Sequence, residues 1–123
     1  MKYGTIHLMK KDLDYYLQRG FDQKTAEYYI SGRRQVVAVE ADDQYRLHLE
    51  FDNGERRILD CNSLFQGNTV FAAIHSPESY RRVYLDADHV VSWDIDPAVD
   101  STSVWSNKLD LCPDSCYLDS IPA

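Results

Sequence analysis

Between Tyr45 and Asp60 apolar and polar positions alternate as Y-R-L-H-L-E-F, turn at Asn53-Gly54, and return as E-R-R-I-L-D. A period of two marks a strand with one buried face, and an Asn-Gly dipeptide between two such runs is a strong hairpin signal. A two-residue Asn53-Gly54 loop sets Asp52 opposite Glu55, Phe51 opposite Arg56, Glu50 opposite Arg57 and Leu49 opposite Ile58. In that register Leu47, Leu49, Phe51 and Ile58 form the core face, and Glu50 meets Arg57 as opposite charges on the other face. Leu59 then falls beside His48 on the polar face, where it asks for a cover.

Upstream the period is helical. Leu13, Tyr16 and Leu17 take i, i+3, i+4 spacing in a helix over 12–19, with Gly20 where a C-terminal cap belongs. Asp22 is placed to cap a second helix over 23–31, which Gly32 stops and whose apolar stripe is Ala26, Tyr29 and Ile30. Two helices this short are marginal alone and must dock on something.

At Gln35 the pattern turns strand-like. Val36, Val37 and Val39 give a strand over 35–41, followed by a turn at Asp42-Asp43-Gln44. Further on, Asn62 or Ser63 caps a turn through Leu64-Phe65. Val70, Phe71 and Ile74 are spaced for a short buried helix, and Ser76-Pro77-Glu78 opens another with Pro in the first turn. Strands are expected over 82–86 and 89–93, around Asp86-Ala87-Asp88. A polar loop follows over 94–103, and one turn of helix lies within 109–118. There are no repeats or low-complexity tracts.

The chain's 123 residues suit one domain of ordinary size, able to bury a core without metal or disulfide staples. We divide it into an N-terminal helical segment, 1–33, and a sheet-containing core, 34–123. Acidic residues outnumber basic ones 20 to 13, for a net charge of −7. Direct nucleic-acid binding needs clustered Lys and Arg, and Arg33-Arg34 and Arg81-Arg82 are only dipeptides. No run reaches the ~18–20 apolar residues of a membrane span, and the first residues lack a signal peptide's apolar core. A cytoplasmic location is expected, and three cysteines, an odd number, argue against a disulfide framework.

Candidate chemistry is sparse. Cys112-x-x-x-Cys116 with Cys61 falls short of the four ligands of a structural zinc site. His7, His48, His75 and His89 are scattered and show no metalloprotease spacing, although a hydrolase could use His75 or His89 with a nearby Asp. Asp94-x-Asp96-x-x-x-Asp100 lacks the glycine and terminal Glu of a calcium loop. No phosphate-cradling glycine loop occurs. We therefore expect no catalytic residue, no metal and no cofactor. The pairs Tyr15-Tyr16 and Tyr28-Tyr29 stand out. Adjacent helical residues point about 100° apart, so one ring of each pair can pack while the other faces outward as a protein contact.

Leu47, Leu49, Phe51, the Asp52-Asn53-Gly54-Glu55 turn, Asp60 and Leu64 resemble the hairpin of the bacterial domain of unknown function 2442. Phe71, Ile74, Tyr80 and Val83 match its helical stretch. Trp105, Asn107, Asp110, Leu111, Pro113, Asp114 and Tyr117 resemble its closing motif. The resemblance spans about 34–118. Lys108 replaces the Gly usual in the closing turn, and 93–104 reads as an insertion. It implies an α+β fold: a mostly antiparallel twisted sheet of β-hairpins packed against short helices, with the N-terminal helical hairpin appended. It implies no catalytic residues, and it suggests small regulatory modules, some in toxin–antitoxin-type gene pairs. The expectation is a non-enzymatic module with a protein partner, contacted through Tyr15, Tyr16, Tyr28 and Tyr29. An alternative is a small acidic inhibitor of a nucleic-acid enzyme, as some anti-CRISPR proteins are, with Asp86, Asp88, Asp94, Asp96 and Asp100 standing in for phosphates.

Overall fold

The hairpin forms, one residue away from the expected register. In the computed structural model, which describes residues 12–123, β2 (Arg46–Phe51) pairs antiparallel with β3 (Arg56–Asp60), setting Leu47 opposite Leu59, His48 opposite Ile58 and Leu49 opposite Arg57. The loop is the cause. The Gly54 N–H donates to the Phe51 carbonyl at 2.9 Å, and the Phe51 N–H donates to the Glu55 carbonyl at 2.9 Å, so Asp52, Asn53 and Gly54 all lie in the turn. Gly54 takes φ +85°, the left-handed residue that closes a three-residue loop.

A shift of one residue exchanges the faces of the returning strand. Leu59 joins Leu47, Leu49 and Phe51 in the core, and Ile58 sits half-buried on the opposite face. Leu59 therefore needs no separate cover. Arg57 turns inward and is only 9% exposed, while the expected partner of Glu50 is replaced by Arg56, at 3.9 Å.

Strand β1 (Val36–Ala41) pairs antiparallel with β2, and an irregularity between Val36 and Ala38 shifts the phase. The extra residue lets Val36, Val39 and Ala41 stand opposite Phe51, Leu49 and Leu47. The first sheet runs β1-β2-β3-β7, with β7 at Ile121–Pro122. A second antiparallel sheet runs β4 (Tyr84–Leu85), β5 (Val91–Asp94), β6 (Lys108–Leu111). The connections carry 3-10 turns at Asn62–Phe65 and Val70–Ile74 and a short helix, Pro77–Tyr80, capped by Ser76. A last helix, Pro113–Leu118, precedes β7. The fold is α+β, as expected. Strands β6 and β7 are additions to the expected elements.

One core joins both sheets: Val36, Leu47, Leu49, Phe51 and Leu59 with Val91, Trp93 and Leu109, closed by Ile74, Tyr80, Cys61 and Cys116. Trp93 is fully buried, and its indole N–H donates to the Tyr80 carbonyl at 3.0 Å.

The described residues form two compact units, 12–33 and 34–123. The first holds α1 (Leu13–Gln18) and α2 (Gln23–Ser31), each started by an aspartate that accepts from a first-turn N–H: Asp12 from Tyr15 at 3.1 Å and Asp22 from Thr25 at 2.7 Å. We number the remaining helices α3 (Pro77–Tyr80) and α4 (Pro113–Leu118). His7 and the start of the expected helical hairpin lie outside the described residues.

Candidate functional site

The segment between β5 and β6 is expected to be a polar loop with an acidic cluster; in the structure it is a loop bonded internally through one side chain. Asn107 holds it. Its side-chain N–H groups donate to the carbonyls of Asp96 at 3.0 Å and Val99 at 3.2 Å and to the Ser101 hydroxyl at 2.9 Å, while its Oδ1 accepts from the Asp96 N–H at 2.9 Å. Asn107 is itself buried, so these bonds form away from competing water.

The three expected acidic residues serve the same loop. Asp94 accepts from the Tyr84 hydroxyl at 2.8 Å and the Ser101 hydroxyl at 2.6 Å. Burial, and then Asp94, push the Tyr84 phenol up to about 12. Asp96 accepts from the Ala98 N–H at 2.9 Å. Asp100 accepts from the Thr102 hydroxyl and N–H, which hold its carboxyl below the usual range.

At the end of this loop a 3-10 turn, Trp105–Asn107, carries Trp105 outward. The indole is 85% exposed, and Val104 beside it is also exposed. A groove of about 530 Å³ runs alongside, lined by Tyr84, Asp86, Thr102, Trp105, Lys108 and Asp110 among others. Lys108 Nζ donates to Asp86, which raises the Lys108 pKa. Burial would raise the Asp86 carboxyl, but Lys108 and the N–H groups of Val90 and Asp88 outweigh it and hold it low. Beyond that pair, Asp110 is a second carboxylate in the lining, and Asp110 and Asp88 also raise the Lys108 pKa.

The expected tyrosine surface belongs to the first unit, where the rings pack largely on one another. Tyr16 stacks on Tyr29 with centroids 5.6 Å apart and meets Phe21 edge-on at 5.7 Å. Tyr15 meets Tyr16 at 5.1 Å, and Tyr28 meets Tyr29 at 5.5 Å. The Arg19 guanidinium lies 3.6 Å from the Tyr15 ring centre. Tyr28 is buried, Tyr15, Tyr16 and Tyr29 are half-buried, and Leu17, Phe21 and Ile30 are exposed beside them.

The remaining candidate chemistry is dispersed. His48 is exposed and lies 2.9 Å from Asp42. His75 stacks on Phe65 at 4.2 Å, and His89 Nδ1 is 3.1 Å from the Val36 carbonyl. Cys61, Cys112 and Cys116 line one groove, with burial pushing the thiols of Cys61 and Cys116 up to about 11 and about 12. Among the described residues no group of three His, Cys, Asp or Glu side chains is placed to hold a metal ion, and no helix is long and apolar enough to cross a membrane.

The residues of the closing motif thus have visible work: Asn107 pins the loop, Asp114 is buried, and Tyr117 packs on Phe51 at 5.0 Å. Residues 36–120 match a family described as a protein of unknown function, DUF2442. The chain belongs to this family. The match covers more than half the sequence and lies within the second unit, with the two-helix unit outside it. No curated protein and no solved structure matches the chain. In this DUF2442 chain Trp105 is the residue that sequence reasoning passed over as a binding group. Its signal was the apolar pair Val104-Trp105 at the end of a polar stretch, with no periodic partner to pack against.

Proposed function

We propose that this DUF2442 protein is a non-enzymatic module that binds another protein through the Trp105 loop. The observation that carries the reading is the indole held 85% exposed by a loop whose own polar groups are bonded to one another. An exposed Trp gains roughly 4–6 kcal/mol gross when its ~200 Å² is buried in a partner's pocket. A loop already tied by its own hydrogen bonds has less ordering entropy to lose on binding. Trp is enriched among residues that dominate interfaces.

The half-buried tyrosines and the exposed Leu17, Phe21 and Ile30 give the two-helix unit an aromatic surface that supports a second contact. A regulatory role in a toxin–antitoxin-type pair fits such a module. Inhibition by phosphate mimicry would use Asp86, Asp88, Asp94, Asp96 and Asp100 as a charged strip, but Asp86 is paired with Lys108 and the half-buried Asp94 accepts from Tyr84 and Ser101. That favours the aromatic contact.

The test is co-purification from the native host with the intact chain, Trp105→Ala, and Val70→Ala, which removes another exposed apolar side chain. A partner lost only with Trp105→Ala supports the reading. A partner retained by Trp105→Ala, with an unchanged melting curve, overturns it.

A further inference from the structure

The groove beside Trp105 has a chemistry of its own, and it narrows the class of partner. One wall is the indole. Asp86, Lys108 and Asp110 line the groove too. Lys108 is already committed to Asp86, and Asp88 adds a further negative charge within its electrostatic reach. Two lining carboxylates against one ammonium leave Asp110 uncompensated in the groove, on a chain whose net charge is −7. A neutral apolar side chain would desolvate Asp110 with nothing in return, and an acidic one would be repelled.

We propose that this groove receives an arginine side chain from a basic segment of the partner protein, with the guanidinium laid against the Trp105 indole and directed at Asp110. The proposal rests on the protein-binding reading above and deepens it by naming the partner's contact chemistry. A planar guanidinium suits both walls at once: it stacks on an aromatic face and presents paired donors to a carboxylate. An ammonium is a strongly hydrated point charge and uses the indole face less well. The groove's volume, about 530 Å³, accommodates a long side chain with its neighbouring backbone.

The intact protein carries its own reporter. Trp93 is fully buried and bonded to Tyr80, so a ligand at the groove changes emission from Trp105 alone. The experiment titrates the full chain with a tetra-arginine amide, the matched tetra-lysine and the matched tetra-glutamate. The expected result is a saturable emission change with the arginine peptide, at least about threefold tighter than with lysine, and none with glutamate. Asp110→Asn should weaken the arginine peptide at least about threefold. Glu50→Gln removes one charge from the outer face of the β2–β3 hairpin, away from this groove, and should leave binding nearly unchanged. Equal weakening by Glu50→Gln and Asp110→Asn would mean attraction to net charge and would overturn the proposal. So would equal affinity for arginine and lysine, or no emission change. If co-purification still depends on Trp105 while the arginine peptide fails, the protein-binding reading stands and the arginine assignment falls.

Discussion

The Arg57 guanidinium donates from Nη2 to the Ser120 carbonyl at 2.6 Å and from Nε to the Ser120 hydroxyl at 2.8 Å, joining the hairpin to the end of the chain. Its Nη1 reaches Glu55 at 3.3 Å, and its plane lies 4.5 Å from the Tyr117 ring centre. Tyr117 in turn donates its hydroxyl to Glu55 at 2.7 Å. A buried cation is tolerated here because every side of it meets an acceptor or a ring. Arg57→Ala would leave the Ser120 carbonyl and Glu55 without this donor. We expect a loss of about 2–4 kcal/mol in urea unfolding, with Arg57→Lys recovering only part, because a point charge cannot reach three acceptors and the ring together. A loss under about 1 kcal/mol for Arg57→Ala would show that the staple carries little stability.

The register is tested by two neighbours. Leu59 faces the core and Ile58 does not. Leu59→Ala should cost about 2–4 kcal/mol and Ile58→Ala less than about 1.5 kcal/mol by chemical denaturation. The expected two-residue loop demands the reverse order. Gly54→Ala should also destabilise, by about 1 kcal/mol, because its φ of +85° strains a residue with a Cβ even though the space around it is open.

Acid should unfold the protein through its bonded carboxylates. Burial would raise Asp42, yet His48, the N–H groups of Gln44 and Arg46 and the Arg46 guanidinium outweigh it and hold the carboxyl far below its ordinary value. The Tyr117 hydroxyl, Asn53 and Arg57 lower Glu55. A folded value below the unfolded one means stability that is fully present above the ordinary carboxylate range and lost as pH falls through the folded value. The thermal midpoint should therefore stay level above a pH of about 5 and fall steadily below about 4. Asp42→Asn should lower the plateau and shrink the fall; an unchanged slope would remove Asp42 from the account.

Thiol labelling reads the core directly. Cys61 and Cys116 are buried with raised pKa values, while Cys112 is exposed. A maleimide at neutral pH should label one thiol in the native chain, at Cys112, and all three in denaturant. Native labelling at Cys61 would contradict the packing of both sheets around it.

Local signals in the sequence carried well where the structure is local. Asp22 caps its helix, Ser76 caps the helix opened by Pro77, and the alternation at Arg46–Phe51 is a strand. The register failed because Asn-Gly serves both two- and three-residue loops, and the choice between them rests on whether Asp52 joins the turn. Leu59, the residue out of step with the pattern, was the sign that the register was off by one. Strands β6 and β7 are too short to alternate convincingly, and β7 exists because Ile121 pairs with Ile58 far back in the chain. Trp105 was legible as a motif residue. Its exposure was not, because it depends on Asn107 bonding to three residues of a loop that sequence alone leaves unshaped.

The most direct test of binding through Trp105 is photo-crosslinking in the native host, with a photoreactive phenylalanine analogue placed at 105 in one strain and at the equally open position 70 in another. Binding through Trp105 predicts a discrete adduct of one partner from position 105, suppressed by excess unlabelled intact chain and not by Trp105→Ala, and no such adduct from position 70. Adducts of the same partner from both positions, or competition by Trp105→Ala as strong as by the intact chain, would contradict it.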